Sequence, residues 1–208
     1  MADLMTLPFT IRKATLQDAR AIAKVHVQSW QETYRGHLAD HVLDRLSVES
    51  RTIMWTDAIN TARNTAKTTN VATNLIIGNV ENGVSSQLFV AEIEGEIVAF
   101  ASAGMLRHED QDLDTSIETE LYAIYCLNKF QGLGIGKALL EPIVEMFLDR
   151  GFHKMLVWVL TTNPSKHFYM HLGASYFSEK ELVIANDSYQ EQAYVWTSLE
   201  SLRQYLRA

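Results

Sequence analysis

The chain has 208 residues, 47% apolar and 21% charged, the balance of a soluble globular protein that can bury a sizeable core in one domain. A net charge of −7 argues against a general nucleic-acid binder, which needs a basic face to neutralise phosphates. One cysteine excludes an internal disulfide framework, no apolar run approaches the roughly 18 residues of a membrane span, and no basic-then-apolar signal opens the chain, so a cytoplasmic protein is expected.

Phe9-Thr10-Ile11-Arg12 reads as a short strand. Thr15, with Asp18 three residues on, starts a helix whose spacing buries Ala19, Ile22, Ala23, Val25, His26 and Trp30. On spacing alone, Trp30 and Tyr34 are core aromatics. His37 and His41 lie four apart but have no third ligand nearby, so no metal is expected there. A second helix is predicted from Ser47 to about Arg63, with Val48, Ile53, Trp55 and Ile59 as buried candidates. Residues 60–87 are rich in Thr and Asn, then turn-like, and read as a loop-rich insertion with Leu75-Ile76-Ile77 as a short strand inside it.

Leu88–Ile93 and Ile97–Ala103, joined by Glu94-Gly95-Glu96, form a predicted hairpin. The acidic run from Glu109 to Glu120 carries no Lys or Arg and reads either as a solvated loop or as an attractor for a cationic amine. Glu120–Leu127, rich in β-branched, aromatic and aliphatic side chains, is the next strand. From Ala138 to Arg150 the apolar residues Leu139, Leu140, Ile143, Val144, Phe147 and Leu148 recur at helical spacing, with Pro142 expected to kink the axis.

Between that strand and that helix lies Gln131-Gly132-Leu133-Gly134-Ile135-Gly136-Lys137. Three alternating glycines free the backbone to converge its N–H groups on an anion, and the helix behind presents its positive end. The stretch is a phosphate cradle. It is not a Walker loop, because Lys137 is followed by Ala138 rather than Ser or Thr. Nor is it a dinucleotide fingerprint, which demands Gly or Ala at Lys137 or at Leu139. Met155–Leu160 is wholly apolar and reads as a buried central strand. Pro164 opens a helix over Ser165–Leu172, Glu181–Ile184 and Ala193–Trp196 form a closing strand pair, and Leu199–Leu206 adds a terminal helix.

Read together, Gln131-x-x-Gly134-x-Gly136 after a strand and Asn163…Phe168-Tyr169…Leu172-Gly173 further on resemble the Gcn5-related N-acetyltransferases (GNAT). The opening Ile11-Arg12…Ala14-Thr15…Asp18 with Trp30…Tyr34-Arg35-Gly36 resembles a bacterial branch of that family. The resemblance implies one domain over residues 1–208 with an α/β fold: a mixed, mostly antiparallel sheet of about six to seven strands, splayed at its centre and flanked by about four helices. It implies acetyl-CoA as co-substrate and no metal. The backbone of Ile124, Tyr125 and Cys126 would pair with the pantetheine arm, and Gln131, Gly132, Leu133, Gly134, Ile135, Gly136 and Lys137 would wrap the pyrophosphate. Asn163 would bond the cofactor arm, although it lies six residues before Tyr169 where many members have seven. Trp30 and Tyr34 would wall the acceptor pocket, and homodimers are common in the family.

Direct attack by an amine needs a base for its proton, a donor for the tetrahedral oxyanion and an acid for the departing thiolate. The resemblance assigns the acid to Tyr169. Glu120 precedes Gln131 by eleven residues, the spacing of the base in the family's histone-modifying branch, and would act directly or through water. On a regular strand it shares a face with Tyr122, Ile124 and Cys126 unless a bulge intervenes. Its plainer reading is a polar residue at a strand start. Cys126 reads as a small buried hydrophobe rather than an acyl carrier, and His167 and His171 have no third ligand. The expected function is acetyl transfer from acetyl-CoA to a small-molecule or peptide amine in a ternary complex. The alternative is a non-catalytic coenzyme-A-binding sensor or interaction module.

Overall fold

The computed structural model of the protein describes residues 8–64, 86–107 and 114–208. The expected strand at 75–77, most of the 60–87 insertion and part of the acidic run lie outside these residues. Seven strands form one sheet: β1 (Thr10–Lys13), β2 (Gln87–Ile93), β3 (Glu96–Met105), β4 (Thr119–Cys126), β5 (Met155–Leu160), β6 (Ser175–Ile184) and β7 (Asp187–Trp196). Their order is β1-β2-β3-β4-β5-β7-β6, antiparallel except where β4 meets β5. The described helices are α1 (Ala19–Tyr34), α2 (Asp40–Asp44), α3 (Val48–Asn64), α4 (Ile135–Leu148), α5 (Lys166–His171) and α6 (Leu199–Arg207). The mixed sheet is as expected, α5 falls within the helix expected over Ser165–Leu172, and the short α2, for which no helix is expected, brings the count to six among the described residues. None of these helices is long and apolar enough to cross a membrane.

Local chemistry accounts for most of these boundaries. The β2–β3 hairpin turns on Glu94 and Gly95 and the β6–β7 hairpin on Ala185 and Asn186, all four at positive φ, the turn geometry that matches strand twist. Asp18 accepts from the Thr15 N–H and hydroxyl and pairs with both nitrogens of the Arg12 fork, tying the entry of α1 to β1. Helix α1 buries Ala19, Ile22, Ala23, Val25 and His26 as its spacing dictates. Helix α3 buries Trp55, Ala58 and Ile59. The expectation for Ile53 fails, since it is 66% exposed. Two residues before Trp55 at about 100° per residue, it points away from the buried stripe. Helix α4 runs unbroken through Pro142 and buries Leu139, Leu140, Ile143, Val144 and Phe147.

Two irregularities shape the centre of the sheet. Strands β4 and β5 pair only at Thr119–Leu121 against Met155–Val157. Beyond that point β5 stays with β7 as far as Leu160, and β4 stays with β3 as far as Cys126, so the two diverge. The second is a bulge in β4. Gly104 and Ala103 oppose Glu120 and Leu121, whereas Ser102 and Ala101 oppose Ala123 and Ile124, which leaves Tyr122 as the extra residue.

Candidate active site

The divergence of β4 from β5 opens a cavity lined by Tyr122, Ala123, Ile124 and Tyr125 on one side and Val157, Trp158 and Val159 on the other. Thr33 and Tyr34 from the end of α1, and Asn163, Ser165 and Tyr169 from the start of α5, complete the wall. Past Leu121 the β5-facing edge of β4 has no strand partner among the described residues, so its backbone groups are available to an extended ligand.

Beyond the end of β4 the glycine loop enters α4. Gly132 and Gly134 sit at φ of 77° and 82°, with no atom within 4 Å of where a Cβ would stand. Gly134 is the N-cap residue of α4 and brings no side-chain oxygen, which leaves the first-turn N–H groups of the helix for a ligand. Gly136 is small for another reason: a Cβ there would meet the Phe168 ring at 3.0 Å. Gln131 braces this loop, donating from Nε2 to the Cys126 carbonyl (3.1 Å) and to Asn128 Oδ1 (3.0 Å). An open, left-handed backbone at an uncapped helix N-terminus, beside an unpaired strand edge, fits a pyrophosphate-bearing group with an extended arm.

The bulge decides where Glu120 faces. Residues directly opposite each other share a face, so Glu120, opposite Gly104, shares one with Ala123 and Tyr125, opposite Ser102 and Phe100. Ile124 and Cys126 take the other. The regular alternation expected for Glu120, Ile124 and Cys126 is therefore broken at Tyr122. The Tyr122 ring lies over Gly104, its hydroxyl 2.5 Å from where a Cβ would be, and donates to the Met105 carbonyl. Glu120 itself is fully buried and does not line the cavity. Its carboxylate accepts from the Arg107 Nε (3.0 Å), Nη2 and backbone N–H (3.3 Å). The Arg107 guanidinium sits 5.5 Å from the Tyr122 ring centroid, so pair and bulge form one unit.

Tyr169 is buried against Trp196 (ring centroids 5.9 Å apart, edge-on) and lines the cavity. Burial, then the nearby Tyr125, pushes its hydroxyl well above the ordinary tyrosine range, so it keeps its proton throughout the neutral region. Asn163 is engaged at both ends of its amide: Oδ1 accepts from the Ser165 N–H (2.8 Å) and Nδ2 donates to the Tyr34 hydroxyl (2.8 Å). Trp30 packs edge-on against Tyr34 (5.1 Å) and stands behind it rather than in the lining. Burial, with a smaller contribution from Glu32, pushes the Cys126 thiol up to about 12, which leaves little thiolate for nucleophilic attack at neutral pH.

The structure adds residues that the sequence reading did not single out. Arg107 lies two residues before the acidic run. Trp158, within the apolar run of β5, lines the cavity and carries the Lys180 ammonium 4.1 Å above its ring, with Glu191 3.7 Å from the same ammonium. Of the histidines read for metal binding, His41 pairs with Asp187 (3.3 Å) and His171 Nδ1 meets the His167 carbonyl oxygen at 2.6 Å. Among the described residues no group of three or more His, Cys, Asp or Glu is placed to hold a metal.

The family model described as the acetyltransferase (GNAT) family matches residues 52–174, more than half of the chain. The chain belongs to the acetyltransferase (GNAT) family. An uncharacterized N-acetyltransferase, YuaI of Bacillus subtilis (strain 168), is 34% identical over 198 residues, covering 95% of this chain and 98% of that protein. Among solved structures, PaiA N-acetyltransferase from Thermoplasma acidophilum in complex with coenzyme A superposes with a TM-score of 0.62 at 17% identity, over 90% of this chain and 100% of that one. The acetyltransferase YncA from Salmonella typhimurium with acetyl-CoA gives 0.61 at 19% identity, over 92% and 94%. At these identities the two structures speak to the fold. This GNAT member is accordingly an N-acetyltransferase.

Proposed function

We propose that this GNAT member acetylates a small-molecule or peptide amine by direct attack in a ternary complex, within a single catalytic domain. The observation that carries the reading is the β4–β5 divergence, which opens a cavity between a strand edge free of β5 and Tyr169, while the open glycine loop follows β4 into α4. Gly132–Lys137 and the α4 N-terminus would hold the pyrophosphate, and the backbone of Ile124, Tyr125 and Cys126 the pantetheine arm. Acetyl-CoA, when bound, supplies an activated acetyl thioester. Asn163 acts on the arm through its local turn and through Tyr34, since its own amide is already bonded.

Tyr169, still protonated at neutral pH, donates to the leaving sulfur. Glu120 takes the amine's proton through water, because its enclosed carboxylate does not reach the cavity wall. Arg107 holds that carboxylate in place through charge-assisted hydrogen bonds. The raised Cys126 thiol favours direct attack over an acetyl-cysteine route. Trp30 and Tyr34 back the acceptor side, and a cytoplasmic homodimer, testable by sedimentation, belongs to the same reading.

Thermal unfolding with acetyl-CoA, NAD and ATP tests the donor site: a hundredfold excess over Kd stabilises by about 2.7 kcal/mol, and acetyl-CoA alone should do so. Initial rates of thiol release, with donor and amine both varied, should give intersecting double-reciprocal lines. Parallel lines would replace direct attack with a covalent acetyl-enzyme.

A further inference from the structure

One turn of α1 carries three buried polar atoms, His26 Nε2, Ser29 Oγ and Trp30 Nε1, with no hydrogen bond of ordinary geometry among the described residues, the Trp30 N–H reaching only toward the Tyr125 hydroxyl. The His26 proton can be located. The Trp55 indole N–H donates to His26 Nδ1 (3.2 Å), so the neutral ring carries its hydrogen on Nε2. The His26 N–H and the Ser29 hydroxyl are thus enclosed without an acceptor among the described residues, and the Trp30 N–H is only weakly engaged by Tyr125, an arrangement that native interiors rarely leave unfilled.

Facing them from α3 is Arg51. Its guanidinium carbon lies 6.0 Å from the Trp30 ring centroid, its charge is felt at His26 and at Tyr125, and it is half-buried. Among the described residues no carboxylate lies within ion-pair reach of it; its one side-chain contact of hydrogen-bond length is to Met54 Sδ at 3.4 Å. A half-enclosed cation beside orphaned donors lacks one thing, an anionic acceptor. A buried water would satisfy the N–H groups and leave the charge uncompensated.

The cluster adjoins the catalytic cavity. His26 stacks on Tyr125 (5.3 Å, 17° between planes) and Trp30 packs on Tyr34, and both tyrosines line that cavity. Trp30 and Arg51 are partly exposed, which gives the cluster an opening to solvent. We propose that the amine acceptor also carries an oxyanion, a carboxylate or a phosphate ester, which Arg51 and the N–H groups of Trp30 and His26 hold while the amine lies in the cavity. This deepens the transfer reading and rests on it. It makes Arg51 a specificity-determining residue.

Two measurements test it. In protein labelled with 15N-tryptophan, the Trp30 indole N–H signal, assigned with Trp30→Phe, is followed during titration with sodium acetate and with inorganic phosphate against chloride at equal ionic strength. A saturable movement with either oxyanion, lost in Arg51→Met, is expected. No saturable movement, or the same movement in Arg51→Met, overturns the site. Thiol release from acetyl-CoA is then compared for glycine against methylamine, β-alanine against ethylamine, and phosphoethanolamine against ethanolamine. The acid-bearing partner should show a KM at least about tenfold lower, an advantage that shrinks to within about twofold in Arg51→Met and is partly kept in Arg51→Lys, the size expected of a charge-assisted contact. Equal KM values within every pair, with thiol released, overturn the proposal and leave acetyl transfer standing. No thiol release from any amine, despite oxyanion binding, sinks the transfer reading and the acceptor role of the site with it.

Discussion

The Asn163 side-chain amide donates to the Tyr34 hydroxyl across 2.8 Å, joining residues 129 positions apart at the point where α1 meets the turn after β5. Both groups are buried, so the bond is formed out of water and neither partner is easily replaced. Tyr34→Phe strands the Asn163 N–H and should cost about 1–2 kcal/mol in urea unfolding. Asn163→Ala also removes the acceptor for the Ser165 N–H and should cost roughly 1 kcal/mol more. Equal losses for the two variants would mean that the Ser165 contact contributes nothing.

Tyr169→Phe keeps the ring against Trp196 and removes only the proton. The expected result is a kcat about a hundredfold lower with little change in the KM for acetyl-CoA. Because the hydroxyl stays protonated well above neutrality, the activity of the parent should show no loss from Tyr169 ionisation between about pH 7 and 9.

The Glu120–Arg107 pair is enclosed, with the Arg107 side chain 24% exposed and Glu120 at 0%. Breaking such a pair leaves an uncompensated charge, so Glu120→Gln should destabilise by about 3 kcal/mol in addition to slowing turnover. The double variant Glu120→Gln/Arg107→Met should recover part of that stability and none of the rate. Recovery of the rate would show that Glu120 serves structure alone.

His26 gives the fold a pH dependence with a definite sign. Burial, assisted by the Arg51 charge, lowers its pKa from 6.5 to about 3. The unfolded chain therefore binds a proton between those values that the folded chain refuses. Stability is complete above pH 6.5 and falls as the pH drops toward 3, by at most about 1.4 kcal/mol per unit from this residue. Chemical denaturation between pH 4 and 7 should show that slope, and His26→Gln should flatten it.

Much of this architecture was legible in the residues because its signals are local. The Met155–Leu160 run, the Glu94-Gly95 turn and the helical spacing of α4 each carry their own periodicity or turn chemistry. The glycine loop was readable as an anion cradle because backbone freedom is written in residue type. Ile53 was misread because α3 has a weakly one-sided pattern. The early parts of β6 and β7 carry little signal because Ser175–Lys180 and Asp187–Gln192 are largely polar and each pairs mainly with the later part of the other strand. Trp158 looked like any core residue of an apolar strand; only the parting of β4 from β5 makes it a cavity wall. Arg107 and Glu120 are thirteen residues apart with acidic chain between them, and no local rule pairs them.

The extra residue at Tyr122 acts as a change of parity along β4. Upstream of it, even-numbered side chains look one way; downstream, odd-numbered ones do. A deletion of Tyr122 would therefore remove the bulge and leave a regular strand, with Glu120 still opposite Gly104 and Ala123–Cys126 still opposite Ser102–Ala99 on their present faces. The cost of losing Tyr122 lies instead in its ring, which covers Gly104, meets the Arg107 guanidinium and donates to the Met105 carbonyl, so its deletion and its replacement by a small residue should weaken the strand alike.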